Sequence, residues 1–101
     1  MNSDLSELRF FDYDGLKILL RETPDPVIAR LLNIVDSRVR TSIFGAIDHS
    51  RMDSVRSLMQ RESKADPEKD EIVHRAIASI VGKLIAAGSL RHVDSYYFGK
   101  P

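Results

Sequence analysis

The chain has 101 residues, enough for one domain with a modest core and too few for two. Its 43% apolar and 30% charged residues are unlike a disordered tail, and no apolar run approaches the ~20 residues of a membrane span. Lys plus Arg equals Asp plus Glu at 15 each, so no net field draws it to nucleic acid or an anionic membrane, and the absence of cysteine removes disulfides, thiolate zinc sites and Cys nucleophiles.

The N-terminus, Met1 to Glu7, has neither a basic n-region nor an apolar h-region, so the sequence predicts a cytoplasmic domain without a secretory signal. It reads as a single helical domain, 1–101, which also suits one domain of a longer protein. Ser3 caps a first short helix over roughly Asp4 to Phe10. Asp12 or Asp14 caps a second, with Leu16, Leu19 and Leu20 on one face, and Thr23-Pro24 ends it. Asp25-Pro26 then reads as a start signal: Asp25 as the cap, Pro26 at the first helical position, and Val27, Ile28, Leu31 and Leu32 buried. Asp36 starts a fourth helix with Val39, Ile43, Phe44 and Ile47 inside. Asp48 or Ser50 starts a fifth carrying Met52, Val55, Leu58 and Met59.

After a polar stretch from Glu62 to Asp66, Asp66-Pro67 repeats the start signal and opens the longest predicted helix. Glu68, Asp70 and Glu71 lie near its positive end. Its apolar band, Ile72, Val73, Ala76, Ile77, Ile80, Val81, Leu84 and Ile85, drifts about 40° around the helix per four residues. Gly88 is the predicted stop. Leu90 to Phe98, with Val93, Tyr96, Tyr97 and Phe98, predicts a short extended tail packed back on the body. Gly45 and Gly82 fall inside helices, where close helix–helix approach is the expected reason. The predicted fold is therefore all-α: a compact bundle of about six short helices, antiparallel or superhelical, with a long C-terminal helix and a tail.

No constellation for catalysis stands out. His49, His74 and His92 lack metal-ligand spacing, the glycines are isolated, and the acids are accounted for as caps, first-turn charges or surface. The expectation is a non-catalytic domain with no metal and no cofactor. Two surfaces invite a functional reading. Arg38, Arg40, Arg51, Arg56 and Arg61 lie in the fourth and fifth helices among Asp36, Asp48, Asp53 and Glu62. A solvated face is the simplest account of them. A docking face for acidic partner segments is the alternative, because guanidinium groups make bidentate contacts to carboxylates. Within it Asp53, Arg56 and Gln60 should point outward at three- and four-residue spacing, with Arg51 at the edge. The other surface is the long helix followed by the Tyr96-Tyr97-Phe98 tail, which is similar to the recognition helix and wing of a DNA-binding winged helix. Its mixed exposed charges, Lys69, Glu71, His74, Arg75 and Lys83, argue against phosphate binding, so a DNA-binding regulator is the second reading.

From Phe11 onward the chain resembles the C-terminal domain of the flagellar motor switch protein FliG. The likeness begins at Phe11-Asp12-Tyr13-Asp14 and is closest at Leu19-Leu20-Arg21-Glu22. It continues through Ile28-Ala29-Arg30-Leu31-Leu32 and the helix pair from Ser37 to Arg61. Glu71-Ile72-Val73-His74-Arg75-Ala76-Ile77 and Leu84-Ile85-Ala86-Ala87-Gly88 match the last long helix and its ending. The resemblance implies a six-helix unit following an armadillo-like stack, and a place on the cytoplasmic rotor, at the cytoplasmic face of the inner membrane. It also implies protein partners, either the stator's charged cytoplasmic loop or other switch-complex subunits, with self-association in a ring as a further option and no membrane insertion. The chain departs from the family where torque-related charges are usual. Asn33, Ser50, Ser57 and Leu58 are uncharged, and Asp66 stands where the family has an arginine. Ser63-Lys64-Ala65-Asp66-Pro67 replaces the family's Gly-Pro-Val turn. A divergent rotor paralogue with a different partner contact is the reading that follows.

Overall fold

In the computed structural model, residue 8 and residues 11–61 and 64–91 are described. They contain five helices and no strand: α1 (Tyr13–Arg21), α2 (Asp25–Ile34), α3 (Ser37–Ala46), α4 (His49–Arg61) and α5 (Pro67–Ala86). Of the first predicted helix only Leu8 falls among the described residues, and the predicted tail lies outside them beyond Arg91. The fold is all-α.

Most start signals act as the sequence suggests. Asp12 Oδ1 accepts from the Gly15 amide at 2.8 Å and Asp36 Oδ1 from the Val39 amide at 2.9 Å, each relieving a free first-turn donor. Asp66 accepts from the amides of Glu68 and Lys69. Asp25 differs. Pro24 occupies the cap position, Asp25 is already helical, and no side chain caps α2. The Asp25 carboxylate faces sideways to α4 instead.

Helix α2 organises the bundle. It packs against α4 and against α5, while α1 pairs with α3 and also touches α5. Ile28, Ala29, Arg30, Leu31 and Leu32 are consecutive and all buried. Five residues at 100° each exceed a full turn, so the middle of α2 is buried all round while Pro26 at its start is exposed. Phe11, Leu16, Leu19, Ile43 and Val55 complete the centre with no exposed surface.

Helix α5 has 20 residues, and Val73, Ile77 and Val81 are its buried stripe. The predicted band is too wide at its edges: Ile72 is 62% and Ile85 42% exposed, because α5 covers only one side of α2 and α1. Gly88 ends the helix with φ of +77°, a left-handed conformation that favours glycine. Around it the Ser89 amide donates to Leu84 O and the Gly88 amide to Ile85 O, satisfying two terminal carbonyls. Gly82, expected at a helix–helix approach, has nothing within 4 Å of where a Cβ would stand. The close approach belongs to Gly15, whose added Cβ would lie 2.9 Å from Leu90 Cδ1 and 3.1 Å from the capping Asp12 Oδ1.

Candidate protein-docking surface

The arginines divide into two groups, and burial is what separates them. Arg30, Arg40 and Arg51 turn inward and bind backbone carbonyls, Arg40 and Arg51 where helices end and Arg30 in the segment before α5. A helix leaves its last four carbonyls without internal partners, and a guanidinium carries five donors in a fixed fork, so one arginine can satisfy several at once.

Arg51, near the start of α4, donates Nη1–H to Leu20 O at 2.7 Å and Nη2–H to Thr23 O at 2.6 Å, closing the C-terminal end of α1. Its Nε–H donates to Asp25 Oδ1 at 2.7 Å. Arg40 on α3 donates to Leu32 O at 2.9 Å and to Val35 O at 3.4 Å, closing the end of α2. Arg30 is 4% exposed. It donates to Asp70 Oδ1 and to Lys64 O, both at 2.8 Å, and to Asp66 O at 3.2 Å, tying the segment before α5 to α2. Three of the four helix connections are thus held by an arginine from another part of the chain.

Two of the six predicted docking residues, Arg40 and Arg51, therefore have their guanidinium groups engaged inside the domain. The sequence predicts Arg51 at the edge of the face; the open carbonyls of Leu20 and Thr23 and the Asp25 carboxylate draw it inward. Arg38, Asp53, Arg56 and Arg61 are exposed. On α4, Val55 is fully buried and Met52, Leu58 and Met59 are half-buried. Asp53, Arg56 and Gln60 project outward, flanked by the exposed Ser50 and Ser57. This outward strip carries one carboxylate and two guanidinium groups if Arg61 is included.

The positions at which the resembled family carries torque-related charges are otherwise occupied. Asn33 donates Nδ2–H to Met59 O at 3.1 Å, closing the end of α4. Leu58 packs against the core, Ser50 and Ser57 are exposed, and Asp66 caps α5. Each neutral residue has a local role, or none, that needs no charge.

Sequence reasoning missed Arg30. Its signal is an arginine within an otherwise apolar stretch, Ile28 to Leu32, that is buried throughout. It also missed an open groove of about 200 Å³ between α2 and α5, lined by Pro26, Val27, Arg30, Lys69, Ile72 and Val73. The exposed Ile72 belongs to this groove. Among the described residues no group of three or more His, Asp or Glu side chains is placed to hold a metal ion, and no helix is long and apolar enough to cross a membrane.

The family model of the FliG C-terminal domain matches residues 3–91. No curated protein and no solved structure matches the chain.

Proposed function

This chain belongs to the FliG C-terminal domain family, and we propose that it is a non-catalytic component of a flagellar rotor or switch complex that docks protein partners through the outward strip of α4. The observation that supports this most directly is the division of labour on that helix. Arg51 is held inward, whereas Asp53, Arg56 and Arg61 face solvent on the side away from Val55. Exposed charges contribute little to stability, typically less than about 1 kcal/mol, so their gathering on one strip suits recognition. Guanidinium groups in such a strip favour a partner presenting carboxylates.

The partner, in this reading, is the stator's charged cytoplasmic loop or another switch-complex subunit, which places the domain at the cytoplasmic face of the inner membrane. Because four of the family's usual charged positions are uncharged here and the fifth carries Asp66 in place of an arginine, the contact in this reading is shifted along α4 to Arg56 and Arg61 and is particular to this divergent member.

The chain has no cysteine, so a single Arg56→Cys substitution gives a unique crosslinking handle. In flagellated cells that carry the protein, it should crosslink to a stator or switch-complex subunit. Recovery of no motor subunit from cells in which the protein is folded would remove this reading. A tight, sequence-dependent shift of duplex DNA at physiological salt would put the winged-helix alternative in its place. Ordinary non-specific affinity there is on the order of 10⁻⁴ M or weaker.

A further inference from the structure

We propose that Arg51, with Asp25 and Asn33 of α2, sets the register of α4: how far along α2 it sits and how it is rotated about its own axis. Rotation decides which α4 side chains face solvent. The three are therefore positioning residues for the docking strip, a role that rests on the function proposed above.

The inner face of α4 consists of two rows. Arg51, Val55 and Leu58 form one at four- and three-residue spacing, and Met52, Val55 and Met59 form the other. Val55 is fully buried, and Met52, Leu58 and Met59 pack half-buried against the core. This apolar contact keeps α4 on α2. It defines the rotation only loosely, because burial is non-directional and the two flanking methionines are unbranched and repack readily.

Arg51 supplies the missing direction. It stands in an inner row, yet its guanidinium is committed to Leu20 O, Thr23 O and Asp25 Oδ1, at 2.6 to 2.7 Å. A planar fork of donors meets three separate acceptors in one orientation. The acceptors are themselves fixed: Thr23 is buried, and its Oγ1 donates to Leu19 O at 2.7 Å. Asp25 Oδ2 accepts from Ser54 Oγ at 3.1 Å, so both oxygens of that carboxylate face α4.

The far end is tied as well. Asn33, late in α2, donates Nδ2–H to Met59 O at 3.1 Å. Start is joined to start and end to end, so the two helices run side by side in the same direction. Sliding or turning α4 breaks a polar contact at one end or the other. Polar groups in an otherwise apolar seam fix register in this way.

The strip depends on that setting. Asp53, Arg56 and Gln60 lie about 100–160° around the helix from Val55. A rotation that carries Arg56 inward, toward the Met52–Met59 row, also carries Leu58 outward and Met59 inward.

That exchange is the test. The chain has no cysteine, so Leu58→Cys and Met59→Cys each give a unique thiol whose labelling rate reads the exposure of one edge, with no partner needed. Adding Arg51→Met should move the two rates in opposite directions and change their ratio by at least about threefold, the scale of one net hydrogen bond. Asp25→Asn leaves the arginine its carbonyl bonds and should shift the ratio the same way by less. Should Arg51→Met fail to fold, Arg51→Lys keeps the charge and the stem but lacks the fork, and should give the same opposed shift. Rates that rise together would show that Arg51 only stabilises the domain, and unchanged rates that apolar packing alone sets the register; either overturns the proposal. In cells, crosslinking through Arg56→Cys should fall when Arg51→Lys is added at equal protein level, and undiminished crosslinking would overturn the positioning role. A shifted ratio beside an Arg56→Cys protein that crosslinks to nothing, even with Arg51 in place, would sink only the docking reading.

Discussion

Helices α2 and α4 lie against each other, yet they are held in the fold by different means. Along α2 five consecutive residues are buried, including an arginine whose donors are used on Asp70, Lys64 O and Asp66 O. Along α4 only Val55 is buried, Met52, Leu58 and Met59 pack half-buried against the core, and a partly exposed polar cluster adds to the hold near its start. An enclosed helix has no side on which to present a partner-binding residue without sacrificing core. A peripheral helix buries one side and keeps the other free for such a residue. The two arginines on these helices illustrate the same point, because Arg30 is structural by virtue of enclosure while Arg56 is available by virtue of exposure.

The largest effect should come from the interior that α2 shares with α5. Ile77, 3% exposed, is part of that interior. Replacing it with aspartate buries an unpaired charge, and a loss of about 4 kcal/mol or more is enough to unfold a domain of this size. Circular dichroism and melting that stayed at wild type would show that α5 is not a core helix.

Arg30→Ala comes next. It leaves the carbonyls of Lys64 and Asp66 without their donor and Asp70 without its pair. The expected cost is about 2–3 kcal/mol, below the 3–5 of a fully buried pair, since Asp70 is 34% exposed. A melting curve read by denaturant midpoint decides it, and a cost below 1 kcal/mol would mean that water substitutes for the guanidinium.

Two aspartates at helix starts sharpen the comparison further. Asp36 caps α3, and asparagine caps about as well, so Asp36→Asn should change stability by less than about 0.5 kcal/mol. Asp25 serves Arg51 and Ser54 and caps nothing, so Asp25→Asn should cost about 1 kcal/mol, with the loss shrinking at high salt. Equal responses of the two variants in parallel salt titrations would return Asp25 to the role of an ordinary cap.

The smallest effect on stability is expected on the outward strip. Arg56→Glu should shift the melting temperature little, in keeping with less than about 1 kcal/mol for an exposed charge, while weakening the contact with an acidic partner. Salt should weaken wild-type binding in the same direction. Unchanged binding in the folded variant would direct attention to the α2–α5 groove around Ile72.

Much of the architecture was legible along the chain because it is written in local chemistry. Asp12, Asp36 and Asp66 cap helices from adjacent positions, and Gly88 stops α5 through its own backbone. Both act within a few residues. The apolar spacing of α1 and α2 marked Leu16, Leu19, Leu20, Ile28, Leu31 and Leu32, which are buried, and Val27, which is half-buried. The arrangement of the arginines was legible only in part. The outward turn of Asp53 and Arg56 follows from helix periodicity, but the inward turn of Arg40 and Arg51 depends on carbonyls 5 to 31 residues away in the chain.

The sequence by itself determined the helical class, most helix boundaries, the identity of the central apolar residues and the family. Caps, turns and periodic apolar positions are short-range effects, and a family pattern is carried by the residues themselves. Only the tertiary structure decided which arginines hold helix ends and which face solvent. It also decided that Asp25 binds α4 instead of capping α2, that Gly15 rather than Gly82 sits at a close approach, and that Ile72 and Ile85 are left uncovered. Each of these depends on which helix end or side chain lies opposite, and that is set by how the five helices pack together.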